Sequence, residues 1–178
     1  MNQAHSPTAE AVEFSAATLQ RFAREVAKYP AEQKQSAVIA CLSILQDENG
    51  HVSPAHEQAL AHYLDMPVMG VHEVFTFYNM FNVKPVGRFK INVCTNLPCQ
   101  LRAGQQTLQY VCKKLNVDVG GTTADGLFTV QPGECMGACA DAPVVLVNDR
   151  SMCSFMSHEK LDQLVDGLRQ SANEKATP

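Results

Sequence analysis

No stretch of this 178-residue chain approaches the ~20 consecutive apolar residues that a membrane-spanning helix needs, so direct membrane insertion is not expected. Nor is there a block of lysine or arginine. The net charge is −4 with acidic and basic residues interspersed, which leaves no electrostatic footprint for nucleic acid or an anionic bilayer and makes protein partners the better expectation. No G-x-G-x-x-G opens a strand–helix unit and no P-loop is present, so neither NADH nor another nucleotide has a recognisable site. A Ser-His-Asp or Cys-His catalytic set cannot be assembled either, and no catalytic residue is assigned. His51, His56, His62 and His72 lack an H-E-x-x-H spacing and are read as solvated or capping residues. Residues Met1 to Thr8 carry neither the basic start and apolar centre of a secretory signal nor the arginines of a mitochondrial presequence. The expectation is a cytoplasmic bacterial protein.

What the chain does have is cysteine. Seven of them, an odd number beside no export signal, point to reduced thiols and metal chemistry over a disulfide framework. Four fall into two close pairs, Cys94-Thr-Asn-Leu-Pro-Cys99 and Cys135-Met-Gly-Ala-Cys139. Each pair follows a β-rich run, Phe89 to Val93 before the first and Leu127 to Val130 before the second, so strands would deliver four thiols from two loops to one point. Four thiolates on one centre select tetrahedral zinc or an iron–sulfur cluster, and both spacings are compatible with zinc. The surroundings favour the cluster. Gly133, Gly137, Ala138 and Ala140 allow backbone N–H groups close to sulfur, and Cys99 after Pro98 opens a helical pattern whose unpaired N–H groups favour anionic sulfur.

The runs Val93 to Cys99 and Gly133-Glu-Cys-Met-Gly-Ala-Cys-Ala-Asp-Ala-Pro143 resemble the cluster motifs of the E-subunit family of NADH:quinone oxidoreductase (respiratory complex I), the small thioredoxin-like member of the NADH dehydrogenase flavoprotein module. Val74 to Phe81 followed by Pro85-Val-Gly-Arg88 resembles that family's junction between a helical segment and a thioredoxin-like domain. The resemblance covers about residues 15 to 170. It implies one [2Fe-2S] cluster held by Cys94, Cys99, Cys135 and Cys139. It also implies an electron-transfer role beside a flavoprotein subunit that binds NADH and FMN, and a larger iron–sulfur subunit in the same complex. This chain would bind neither NADH nor FMN and would not be catalytic alone. The complex would sit on the cytoplasmic side of the inner membrane. Relatives in soluble NAD-linked hydrogenases and formate dehydrogenases make those assemblies alternatives, and a zinc-stabilised adaptor is the alternative of another class.

A chain of this length can bury about 70% of its unfolded surface in one domain or two. The expected fold class is α+β: a small N-terminal helical bundle over 15–84 and a thioredoxin-like [2Fe-2S] domain over 85–170, with disordered ends at 1–14 and 171–178. Helical spacing of Leu19, Phe22, Val26 and Tyr29 after Ser15 predicts the first helix, ended by Pro30. Val38, Cys41, Leu42 and Leu45 mark the second, and Ser53-Pro54 caps a third that buries Leu60, Tyr63 and Leu64. A fourth follows Pro67 with Val68, Val71, Phe75 and Tyr78 on one side. The second domain reads β-α-β-β-β-α. Its parts are a strand over 89–94, one helix from Cys99 carrying Leu101, Leu108, Val111, Cys112 and Leu115, and strands at 128–130 and 144–147. An Asn148-Asp149 hairpin turn leads to a strand over 151–155, and a last helix opens at His158. Cys41, Cys112 and Cys153 lie on apolar faces and are read as packed thiols.

Overall fold

A computed structural model describes residues 12–174, and the chain divides after Pro85 into two compact units. The first is helical. Helix α1 (Ala16–Val26) starts where the Ser15 hydroxyl accepts from the Thr18 N–H at 3.1 Å. A 3₁₀ stretch (Ala31–Ala37) leads into α2 (Val38–Asn49), which Gly50 ends at φ 75°. In α3 (Pro54–Leu64) Ser53 and His56 form a capping box, with proline at the first helical position, and α4 (Val68–Phe77) follows. Phe22, Cys41, Leu42, Leu45, Leu60, Leu64, Val71 and Phe75 make one core.

The predicted faces are shifted at four places. Leu19, Tyr29, Val68 and Tyr78 stay exposed, while α1 buries Phe22 as expected and turns Thr18 inward beside it. Thr18 can be buried because its hydroxyl donates to Glu48 at 2.8 Å. His56 is a capping residue as expected, its Nδ1 accepting from the Ser53 N–H at 3.2 Å, whereas His72 meets the buried carboxylate of Glu57 at 2.7 Å. The expectation of disorder for residues 1–14 falls mostly on residues outside those described, but Phe14 packs edge-on against Phe22 with ring centroids 5.1 Å apart.

The second unit is a four-stranded mixed sheet with helices. Its elements are β1 (Phe89–Cys94), α5 (Leu97–Leu101), α6 (Gly104–Leu115), β2 (Phe128–Gly133), β3 (Val145–Val147), β4 (Ser151–Cys153) and α7 (His158–Glu174). Strand order is β2-β1-β3-β4, with β1 and β2 parallel and the other pairs antiparallel. Parallel neighbours need a long crossover, and α5 and α6 supply it. Period-two alternation puts Ile91, Val93, Phe128 and Val130 on one face, where they meet Leu108 and Val111 of α6 and Leu161 and Val165 of α7.

Asn148 and Asp149 both adopt positive φ, 52° and 54°, at the centre of a turn closed by the Arg150 N–H donating to Val147 O at 3.1 Å, within a three-residue connection between the paired Val147 and Ser151. Their side chains also hold the turn to β1. The Lys90 N–H donates to Asn148 Oδ1 at 2.7 Å, while Lys90 Nζ and Asn92 Nδ2 both reach the Asp149 carboxylate.

Three expectations are corrected here. The helix predicted from Cys99 is two helices, because Ala103 turns at φ 67° between α5 and α6, and Leu101 is left exposed off the apolar stripe. The last strand stops at Cys153, and Phe155 leaves it at φ 52°. The last helix continues past the predicted boundary at 170 to Glu174, since Ala172 is buried and its carbonyl accepts from Arg88 at 3.1 Å. Residues 175–178 lie outside those described.

Phe22 carries the helical core, touching Phe14 and Tyr63 at zero exposure. Truncation to alanine should lower the first unit's stability by about 3–5 kcal/mol. Urea melts followed by circular dichroism check this, and a loss below about 1 kcal/mol would contradict the packing described.

Candidate metal centre

The ends of β1 and β2 lie level in the parallel register, Cys94 beside Gly133, so the loops that follow them leave from the same end of the sheet. Two backbone hydrogen bonds fix that junction: Cys94 N–H to Val144 O at 3.0 Å, and Thr95 N–H to Gly133 O at 3.0 Å. A side-chain bond joins the loops as well. Asn96 Nδ2 donates to Glu134 Oε2 at 2.9 Å, while Asn96 Oδ1 accepts from the Leu97 N–H and caps α5.

All four cysteines singled out by their spacing line one small pocket, together with Pro98, Met136, Ala138 and Val144. They are not equivalent. Cys94 and Cys99 are buried, at 3% and 2% exposure, and pack with Ala142 and Val144. Cys135 and Cys139 are exposed, with their sulfurs 3.4 Å apart. Cys99 interacts directly with Cys94 and feels the charge of Cys139, which in turn feels Cys94. The arrangement is therefore two adjoining pairs. Among the described residues no three His, Cys, Asp or Glu side chains converge closely enough to hold a single metal ion.

Electrostatics divides the pairs in the same way. Burial pushes the Cys99 thiol up to about 11, with Cys94 adding to the shift and the Val144 backbone opposing it. The short helix that Cys99 belongs to was expected to favour its thiolate, and desolvation outweighs that here. Cys135 moves the other way, because the Gly137 N–H bonds its sulfur and lowers it below an ordinary thiol. Cys139 is raised, chiefly by its neighbour Cys135. Gly137 thus serves as the sequence suggested, bringing a backbone donor to sulfur, and its φ of 80° is a left-handed turn that suits glycine. Gly133 has another use. A Cβ there would sit 2.7 Å from Cε of Met136, so the bare glycine makes room for the side chain that follows Cys135.

The remaining cysteines stand outside the pocket. Cys41 is fully buried and pushed up to about 12 by burial, with Glu25 adding to it, while Cys112 and Cys153 are raised mainly by burial. Their readings as packed thiols agree with these positions.

The chain matches the model of the thioredoxin-like [2Fe-2S] ferredoxins over residues 22–169. It belongs to that family. It is also 40% identical over 142 residues to the E subunit of NADH-quinone oxidoreductase from Rickettsia felis, spanning 79% of this chain and 84% of the relative. Subunit 2 of the same enzyme from Thermus thermophilus is 34% identical over 143 residues, covering 80% of this chain and 79% of the relative. Among solved structures, the NAD+-reducing [NiFe]-hydrogenase in its H2-reduced state superposes with a TM-score of 0.62 at 19% identity. That match covers 72% of this chain but only 22% of the hydrogenase chain, and it speaks for the fold alone. The ferredoxin family is named for a [2Fe-2S] cluster, and the paired thiols suit one: four cysteines serve two irons, two to each.

Two residues that hold the pocket escaped the sequence reading. Asn96 gives no signal beyond being a good helix cap, because its bond to Glu134 is long-range. Gly104 opens α6, and a Cβ on it would lie 2.7 Å from the Cys94 carbonyl oxygen and 2.8 Å from that of Cys99. Only the break between α5 and α6 reveals it. Replacing Gly104 with alanine should therefore destabilise the second unit and open Cys99 to alkylation. Gly167→Ala meets no atom within 4 Å in α7 and should stabilise by about 0.5–1 kcal/mol. Thermal melts with timed alkylation compare the two, and an unchanged Cys99 labelling rate in the Gly104 variant would refute the close approach.

Proposed function

We propose that this chain is the electron-transfer subunit of an NADH-oxidising module, holding one [2Fe-2S] cluster through Cys94, Cys99, Cys135 and Cys139. The observation that carries the reading is the convergence of those thiols, as two pairs, at the end of two parallel strands. A bound cluster of this type takes up and returns one electron at a time. The chain's own work is to position it. Cys94 and Cys99 anchor from the dry side, Val144 fixes both through its backbone, and Cys135 and Cys139 hold from the solvent side with the Gly137 N–H on sulfur. An exposed outer pair suits electron exchange with another subunit.

The relatives at 34–40% identity that span most of both chains favour the respiratory enzyme over a soluble hydrogenase or formate dehydrogenase as the assembly. In that assembly a flavoprotein partner binds NADH and FMN and exchanges single electrons with this subunit, and a larger iron–sulfur subunit lies beyond. No described helix is long and apolar enough to cross a membrane, so the proposed attachment to the inner membrane, on its cytoplasmic face, runs through the complex. A mononuclear zinc site is the weaker reading, because it needs four sulfurs around one centre and here they are paired.

Gently purified, anaerobic protein should contain about two irons and two sulfides and give a paramagnetic signal on one-electron reduction. Serine at Cys94, Cys99, Cys135 or Cys139 should abolish or distort that signal. Alanine at Cys41, Cys112 or Cys153 should keep it at a stability cost of roughly 1 kcal/mol. Stoichiometric zinc without sulfide, or loss of the signal in the Cys153 variant, would refute the ligand set.

NADH should reduce the cluster only when the flavoprotein partner is present. Reduction of the isolated, flavin-free chain by NADH, followed by its visible spectrum, would overturn the division of labour.

A further inference from the structure

Cys135 and Cys139 differ from the chain's other thiols in being both exposed and adjacent. Their sulfurs are 3.4 Å apart, so a closing movement of about 1.4 Å would reach the disulfide bond length of about 2.0 Å. No atom lies within 4 Å of a Cβ position at Gly137, so nothing crowds the turn between them on that side against such a movement. Cys94 and Cys99 touch each other too, but at 3% and 2% exposure they are closed to an oxidant in solution. Cys41 and Cys112 are buried, and half-buried Cys153 is packed against the core of the second unit.

We propose that in the cluster-free chain Cys135 and Cys139 form a reversible disulfide through exchange with a low-molecular-weight disulfide such as oxidised glutathione, and that this bond closes the site to cluster loading. One of the two cysteines, as thiolate, attacks a glutathione sulfur. The glutathione S–S bond breaks, and the first glutathione leaves as a thiolate that takes up the proton the cysteine gave to solvent. The second cysteine then loses its proton and attacks the cysteine sulfur of the mixed disulfide, expelling the second glutathione, which is protonated in turn. The chain gives up two electrons and two protons, and the glutathione disulfide receives both. Excess reduced thiol reverses each step. Oxidation thus removes two of the four ligands while the buried pair stays reduced. The closing of the site rests on the ligand reading given above, whereas formation of the disulfide does not.

The test uses the full chain, stripped of metal by chelation under anaerobic conditions, reduced, and equilibrated in graded mixtures of reduced and oxidised glutathione. Samples are acid-quenched, alkylated and mapped by mass spectrometry. The tryptic peptide from Leu115 to Arg150 carries Cys135 and Cys139 and no other cysteine, so an internal bond appears there as loss of two hydrogens without alkylation. The expected result is that bond in wild type and in Cys153→Ala, its reversal by dithiothreitol, and a glutathione adduct on Cys139 in Cys135→Ser. Iron and sulfide uptake should fall at least tenfold in the oxidised chain and recover on reduction. Full alkylation of that peptide, a stable glutathione adduct in wild type, or a bond to any other cysteine would overturn the proposal. If the reduced chain still loads a cluster in that case, the ligand reading survives. If the bond forms but the oxidised chain loads a cluster equally well, the block on loading falls and the ligand set falls with it.

Discussion

Strand β1 is hydrogen-bonded on both sides, to β2 in parallel and to β3 antiparallel, and its last residue is Cys94. The geometry of the four-cysteine pocket is referred to that strand end. The parallel pairing requires β2 to finish at the same end as β1, so the loop bearing Cys135 and Cys139 starts beside the loop bearing Cys99. The antiparallel return through Val144 then closes the pocket from the other side. Two loops far apart in the chain are thus brought together by sheet register, and they need few direct bonds to each other. Asn96 to Glu134 is the side-chain bond that joins them.

The pocket combines two dielectric environments among its four cysteines. On the inner side, loss of water disfavours the thiolate and backbone donors recover only part of the loss. On the outer side, the Gly137 N–H, with Cys139 adding to it, favours the thiolate at Cys135. A metal centre that replaced the thiol protons would relieve the inner penalty and so would link the stability of this end of the domain to metal binding. The opposite end of β1 is secured differently, by the buried Lys90 ion-paired to Asp149.

Much of this was legible because the signals were local. Ser15, Ser53-Pro54, Gly50 and Asn148-Asp149 are capping and turn chemistry, and the paired cysteines follow strands whose alternation is clean. What escaped the reading depends on non-local packing. The apolar stripe through Leu101 looks continuous with Leu108, but Ala103 turns at φ 67° and Gly104 then packs against the carbonyl groups of Cys99 in α5 and of Cys94 at the end of β1. Leu19 and Tyr29 lie at helical spacing with Phe22, yet the packing buries Phe22 together with Thr18 and leaves the other two exposed. Residues 171–174 look like a polar tail in sequence, and the docking of Ala172 under Arg88 is visible only in three dimensions.

Gly104 and Gly137 both border the pocket, and they are constrained by different physics. At Gly104 the limit is volume: carbonyl oxygens stand where a methyl group would go. At Gly137 the space is open and the limit is handedness, since its backbone angle belongs to the mirror-image half of conformational space. In a chain made by chemical synthesis, a D-amino acid would therefore be at ease in the backbone conformation of position 137. Reversing the stereocentre relieves the conformational objection there, while the crowding at position 104 is relieved only by removing atoms.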